Sequence, residues 1–452
     1  MVQEESANGN RGGVGAPLRV LVVAFACCPP SGARFSGGED LLGWRLVQQI
    51  GRYHRVWVLT DRQLRPDIEA ACRQDPLPSV SFEYVGLPRW LEPMRRLQGS
   101  VQLYAYLWQV RAYFAARRLA RRIPFDLAHH LTYANDWMAS FIGALLPVPY
   151  VRGPGGGAHR IPAAFLQEFD VRGRVAQYLR SAGQWCLRRD PFFRRGQARA
   201  VRLLVCNREA WNALPTAWRE KALLYPVNGI SDEELTQRGG AEQPSGRTFR
   251  VLSAGKLLRL KGFSLAIKAF RQIAHRCPGA ELEIIGDGPD RAYLQRLVAS
   301  FGLSGRVRLL PWRSRTDFLA ALRACDVFLF PSLRDGGGAV VVEALAAGKP
   351  VVCLQLGGPA LHVTPECGMA VQADRPARTI AALAEALTRL YDDATLRMRM
   401  GHAARRRAEE HYHWDRLGDQ LHTIYLEVLE GSRLGGTPSA AVGAVPSRLH
   451  DA

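Results

Sequence analysis

This sequence is constrained above all by an alternation, run twice, between short apolar stretches rich in β-branched residues and longer amphipathic ones. Residues 18–28, Leu-Arg-Val-Leu-Val-Val-Ala-Phe-Ala-Cys-Cys, form a near-continuous apolar run, the pattern of a strand covered on both faces of a parallel sheet. A glycine-bearing loop, Pro29 to Gly38, leads into an amphipathic stretch over 39–53 and a second apolar run over 55–60, which together make a β-loop-α-β unit. Runs at 80–85, 125–131, 148–152 and 201–206, with helical stretches between them, extend this to a doubly wound α/β domain over 17–230. Residues 231–248 are polar and turn-rich and read as a linker. A second series follows over 249–410, with strands at 249–254, 280–285, 307–310, 327–330 and 350–354, and helices at 263–276, 292–301, 315–324, 339–347 and 376–390. Residues 411–430 are helical in period, while 1–16, Gly- and Asn-rich, and 431–452, rich in Gly, Ser, Pro and Ala with little to bury, are expected to be disordered. The expected fold class is therefore α/β, with two Rossmann-like sheets facing across a cleft.

A chain of 452 residues is long enough for the two cores this requires. Sixty Lys and Arg stand against 41 Asp and Glu, a net charge of +19, so an acidic partner is expected without the charge choosing among phosphate, nucleic acid and anionic lipid. The longest apolar runs fall short of the roughly 18 residues a membrane span needs, and no basic segment precedes an apolar one near Met1, so a cytoplasmic location is expected. Nine cysteines in no C-x-x-C spacing read as buried thiols in a reducing compartment rather than metal ligands.

Ligands of open α/β sheets bind beyond the carboxyl ends of the strands, and the motifs cluster there. After the run 327–330 comes Pro331-Ser332-Leu333-Arg334-Asp335-Gly336-Gly337-Gly338-Ala339-Val340-Val341-Val342-Glu343-Ala344-Leu345, whose glycines let amides approach an anion at a helix start near Ala339. This segment resembles the acid-x(7)-Glu hallmark of the retaining glycosyltransferases of family 4, which have the GT-B fold; it continues into Ala346-Ala347-Gly348-Lys349-Pro350 as that family does. The resemblance covers residues 18 to about 430, strongest over 251–358, and implies a terminal helix returning to the first domain. It also implies that Glu343 holds the ribose of a nucleotide sugar, while Asp335, Gly336, Gly337, Gly338 and Ala339 address the donor. Asp335 stands where the family usually has Glu, one methylene longer.

Gly255-Lys256-Leu257-Leu258-Arg259-Leu260-Lys261-Gly262 resembles the family's G-R-L-x-x-x-K-G, which implies that Lys256 and Lys261 embrace the diphosphate. Charge accumulates on a departing nucleoside diphosphate as the glycosidic bond breaks, so fixed cations stabilise the transition state more than the ground state. Lys256 replaces an arginine and loses its planar fork. Gly286-Asp287-Gly288-Pro289 resembles the family's turn near the base, and Gly357-Gly358 a loop near the donor; Leu361 stands where an acid usually follows. In the first domain, Ser36-Gly37-Gly38-Glu39 matches the family's first glycine loop, which places Gly37 and Gly38 at the donor phosphates. The family's D-x-x-H-x-H aligns His129 with its first histidine, leaving His129 or its neighbour His130 to serve the acceptor. Gly153-Pro154-Gly155-Gly156-Gly157-Ala158-His159 resembles an acceptor-side loop, implicating Gly155, Gly156 and His159.

The resemblance implies transfer of a sugar from a nucleoside-diphosphate donor to a glycan or lipid-linked acceptor, with retained configuration and with neither metal nor cofactor. Two other readings stay open: a dinucleotide-dependent oxidoreductase, disfavoured because no G-x-G-x-x-G follows the first strand, and a basic nucleic-acid-binding protein, disfavoured because no recognised module is present, so no nucleic acid is expected. Residues 89–122 interleave Arg89, Arg95, Arg96, Arg111, Arg117, Arg118, Arg121 and Arg122 with Trp90, Leu103, Tyr104, Trp108 and Phe114. They read equally as an interfacial contact with an anionic inner-membrane face or as a solvated arginine-rich surface.

Overall fold

The computed structural model describes residues 16–95, 101–236 and 248–433. The disorder expected at either end, most of the linker 231–248 and Arg96 lie outside the described residues. Two all-parallel sheets carry the chain. The first consists of β1 (Arg19–Ala24), β2 (Arg55–Asp61), β3 (Val80–Val85), β4 (Leu127–Thr132), β5 (Tyr150–Gly155), β6 (Arg202–Val205) and β7 (Ala222–Leu224), in the order β3-β2-β1-β4-β5-β6-β7. The second consists of β8 (Phe249–Ala254), β9 (Ala280–Ile285), β10 (Val307–Leu310), β11 (Val327–Phe330), β12 (Val351–Leu354) and β13 (Gly368–Val371), in the order β10-β9-β8-β11-β12-β13. Each order reverses beside its first strand, between β1 and β4 and between β8 and β11, which opens a crevice at the carboxyl ends of those strands.

Helices cover both faces of each sheet, which is why β1, β4, β11 and β12 are buried at almost every position. Two short strands, β7 and β13, and the helix Ala394–His411 were not anticipated. Of these, β13 is a four-residue apolar run buried only at its two ends, and the helix carries seven arginines or histidines on a part-exposed surface. Seven of the nine cysteines are buried as expected, but Cys72 is half-buried and Cys186 exposed.

The lobes are not separate bodies at their cores. Ile161, Phe165 and Phe169, from the first half of the chain, pack into the core beneath β8 with Phe263 and Leu265. In return the last helix, Trp414–Arg433, crosses to the first lobe and buries Trp414, Leu417, Leu421, Tyr425 and Val428 against the core of β1 and the helix Gly38–Gly51. Each such side chain contributes at most about 1.5–3 kcal/mol.

The same helix ties off β4. His129 is fully buried; its Nε2 lies 2.6 Å from the Gly153 carbonyl and its Nδ1 2.6 Å from the Tyr425 hydroxyl. A carbonyl can only accept, so Nε2 carries the proton and Nδ1 accepts from Tyr425. Tyr425→Phe removes that donor and strands a buried acceptor, and is expected to lower unfolding free energy by about 1–3 kcal/mol in a denaturant titration. A variant as stable as the parent would mean the bond contributes nothing.

Candidate active site

The loops after β1, β5, β8 and β11 converge on one cleft of about 460 Å³ between the lobes. On one wall the helix Gly38–Gly51 presents its first turn, Gly38 and Glu39, beside Gly156 and Gly157; on the other stand Gly255, Lys256, Lys261 and the turn Asp335–Ala339. Sequence positions some eighty residues apart thus meet because β8 and β11 are neighbours in the sheet.

The turn after β11 is organised by Asp335. One carboxylate oxygen accepts from the amides of Gly338 (2.7 Å) and Gly337 (3.2 Å), and the other pairs with the Lys261 ammonium. Burial alone would push this carboxyl up, but Lys261 and the two amides outweigh it and hold the pKa below the usual carboxylate range. Asp335 is therefore an anion already committed to the loop, and Lys261 is aimed into the cleft by it, with its ammonium 5.4 Å from the centre of the Phe330 ring. Lys256 is exposed on the same wall.

The second loop is shaped from behind. A Cβ at Gly286 would stand 1.9 Å from the Gly255 carbonyl oxygen, so only glycine lets the β9 turn support the Gly255–Leu257 backbone. Gly288 lies against Leu257 in the same way; neither residue lines the cleft. The expectation that these two glycines touch the donor is corrected to one of support. Gly37, preceding the helix Gly38–Gly51, is likewise off the lining, and Gly155 is buried within β5 against the Ala134 carbonyl.

The structure turns His129 and His130 inward, away from the acceptor role expected of them. Both are fully buried on β4, a central strand covered on both faces; the His129 nitrogens are occupied as above, and His130 Nε2 lies 2.8 Å from Gln109 Nε2. Glu343 also departs from expectation. It is not on the cleft lining, and its Oε1 accepts from Arg315 Nη1 at 2.7 Å while Oε2 is buried without a partner among the described residues. Burial raises its pKa against the opposing pull of Arg315.

His159 does reach the site. Its Cε1 lies 3.4 Å from where a Cβ on Gly336 would stand, so the loop after β5 touches the loop after β11 across the cleft. Three residues went unassigned in the sequence. Glu39 lies at the cleft mouth, where the enclosing protein raises its pKa by desolvation although the residue stays open to solvent, and its carboxylate accepts from the Tyr133 amide at 3.3 Å. Asn207 donates to the Gly336 carbonyl at 3.0 Å. His362 donates from Nε2 to the Gly337 carbonyl at 2.6 Å and accepts from Tyr412 at Nδ1, fixing the glycine turn from beneath. Glu39 ends a motif that was read, though it was given no role there; Asn207 and His362 carry no local signal.

Burial lowers His129, His159 and His362 each to about 4, from 6.5 for an ordinary imidazole. Between those values the unfolded chain binds protons the folded chain refuses, so the stability they contribute is complete above pH 6.5 and declines as pH falls towards 4. The thermal unfolding midpoint is expected to drop progressively from pH 7 to pH 4.5; a flat profile would contradict buried neutral imidazoles.

Among the described residues no group of three or more His, Cys, Asp or Glu gathers as a metal site, and no helix is long and apolar enough to cross a membrane. Residues 240–407 match the family model described as glycosyl transferases group 1. The chain is 31% identical over 201 residues to the D-inositol 3-phosphate glycosyltransferase of Corynebacterium efficiens, covering 43% of this chain and 46% of the relative. It is 33% identical over 176 residues to the GDP-mannose-dependent monoacylated alpha-(1-6)-phosphatidylinositol monomannoside mannosyltransferase of Corynebacterium glutamicum, covering 37% and 45%. These matches span less than half the length of those relatives. Over the whole fold, the sucrose-phosphate synthase of Thermosynechococcus elongatus superposes with a TM-score of 0.61 at 17% identity, covering 92% of this chain and all of that one. The chain is a GT-B protein whose carboxyl-terminal lobe belongs to the group 1 glycosyl transferases.

Proposed function

We propose that the protein transfers a hexosyl unit from a nucleoside-diphosphate sugar to an acceptor hydroxyl in glycan or glycolipid biosynthesis, with retention and without metal. The observation that carries this is the convergence of Lys256, Lys261 and the Gly336–Gly338 turn on one interlobe cleft. Such a set neutralises a departing diphosphate, and the helix beginning at Ala339 adds its positive end. Retention rests on the family resemblance: the acceptor attacks from the leaving-group face and the departing phosphate oxygen takes its proton. On the same ground Glu343 is assigned to the ribose, which requires its carboxylate, buried and paired with Arg315 off the cleft lining, to turn towards the donor. A lipid-linked acceptor agrees with the name of the corynebacterial mannosyltransferase.

Calorimetric titration with UDP-, GDP- and ADP-sugars, and with NAD as the rival ligand, tests the reading: one nucleotide sugar is expected to bind, and binding of NAD alone would overturn it.

The cytoplasmic, peripheral location belongs to the same proposal. Of residues 89–122, Tyr104 and Trp108 are core side chains and unavailable to lipid, but Trp90, Leu103 and Phe114 are exposed beside Arg111, Arg117 and Arg118. At about 1 kcal/mol per cation near an anionic surface, that patch supports reversible binding. Flotation with phosphatidylserine vesicles is expected to carry the protein upward at low salt; retention of all protein in the soluble fraction would remove the membrane from the proposal.

A further inference from the structure

Beside the donor loops, four guanidinium groups gather around the loop that follows β5. Arg160 lies on that loop, Arg180 on the helix Val171–Leu187, Arg188 at its end, and Arg334 immediately before Asp335 on the opposite lobe. Their hydrogen bonds go to neutral partners: Arg334 Nη1 to Gln177 Oε1 (2.6 Å), Arg180 Nη2 to the Gly157 carbonyl (3.2 Å) and Arg188 Nε to the Asp136 carbonyl (3.3 Å). Among the described residues no salt bridge to a carboxylate forms on any of the four. Asp136 lies within electrostatic reach of Arg188, but its carboxylate accepts from the Ala158 amide and its own pKa is raised by burial. Burial and then the field of Arg180 bring Arg334 down to about 10, and burial with Arg188 and Arg160 lowers Arg180. Arg180, Arg188 and Arg334 are thus like charges held together half-buried beside the exposed Arg160, a costly arrangement that a bound anion relieves.

A second observation points the same way. Three polar atoms around this loop are buried with no partner among the described residues: His159 Nδ1, Trp137 Nε1 and Arg188 Nη2. An indole N–H and a guanidinium can only donate, so what they lack is an acceptor. The Trp137 nitrogen lies 3.2 Å from where a Cβ on Gly157 would stand, and Gly157 lines the cleft.

We propose that this arginine cluster is the acceptor's anion subsite: the acceptor carries a phosphate group, held between Arg180 of one lobe and Arg334 of the other, with its reacting hydroxyl directed past His159 to the donor. The proposal rests on the glycosyl-transfer reading and adds the acceptor's chemical class to it. A phosphate offers several acceptor oxygens to guanidiniums of fixed geometry. Two sources share that chemistry, a soluble phosphomonoester and a lipid headgroup.

The test titrates the full chain with sn-glycerol 3-phosphate and, separately, with dihexanoyl phosphatidic acid below its micellar concentration, each with and without saturating UDP or GDP. Binding that survives saturating nucleotide and weakens about tenfold or more in Arg180→Gln/Arg334→Gln is expected for at least one probe. Binding of glycerol 3-phosphate assigns a soluble acceptor, and binding of the lipid alone assigns a headgroup. Arg180→Lys/Arg334→Lys, which keeps the charge and not the fork, should fall between parent and Gln variant, and an unchanged unfolding midpoint shows that the fold is kept. Failure of both probes to bind, equal affinity in the Gln variant, or complete displacement by nucleotide would overturn the subsite. Failure of any nucleotide to bind, with phosphate binding intact, would instead overturn the donor reading.

Discussion

Lys261→Ala is expected to lower sugar transfer by about two to three orders of magnitude, the usual loss when one preorganised charge partner of a transition state is removed. The size follows from position. Lys261 is held in the cleft by Asp335 and faces the space a diphosphate would fill, so its charge needs no reorganisation as negative charge develops there. Its removal also strands Asp335. Burial is the largest influence on that carboxyl, and without the ammonium the carboxyl shifts towards the protonated form and loosens its hold on the Gly337 and Gly338 amides. Lys256→Ala, which removes an exposed cation on the same wall, should cost about tenfold, since a solvent-screened charge contributes less. Transfer is measured by chromatography of product at saturating donor, with donor affinity measured by calorimetry. A Lys261 variant that turns over at the parental rate would show that the leaving group lies elsewhere.

What the sequence disclosed depends on whether the signal is local. Strands such as Arg19–Ala24 or Val327–Phe330 are covered on both faces, so each announces itself as an apolar run, and the loops behind them carry glycines and cations in short readable motifs. Side-chain direction is not local. His129 and His130 end an apparent motif but sit on β4, whose place between β1 and β5 buries even its polar residues, and nothing in the spacing shows that Tyr425, nearly three hundred residues on, closes one of them off. Glu343 was read by spacing from Asp335, yet its orientation is shared with Arg315 on another helix. The cluster of Arg160, Arg180, Arg188 and Arg334 is invisible in the sequence: the fold assembles it from both lobes, and each arginine alone resembles the many others in a chain of net charge +19.

The tightest constraint on the site is backbone, and it gives the largest expected effect on stability. Gly262 follows Lys261 with φ +69°, a left-handed conformation that costs a side-chain-bearing residue about 1 kcal/mol or more. A Cβ there would also stand 1.9 Å from the Pro331 carbonyl oxygen, because the loop after β8 and the loop after β11 cross at this point; neither partner can swing aside, since Leu333 donates its amide to the Leu260 carbonyl at 2.9 Å and pins the crossing. Gly262→Ala is therefore expected to destabilise by about 2–4 kcal/mol, which in a lobe of this size corresponds to a fall of about 5–15 °C in the unfolding midpoint. Gly279→Ala, where nothing lies within 4 Å and φ is not in the left-handed region, is the matched control and should shift little. Because relief of the clash separates Lys261 from Asp335, the Gly262 variant should also bind donor more weakly at temperatures where it remains folded. Equal midpoints for the two alanine variants would show that the two loops do not meet there and that the cation and the acid are brought together by other means.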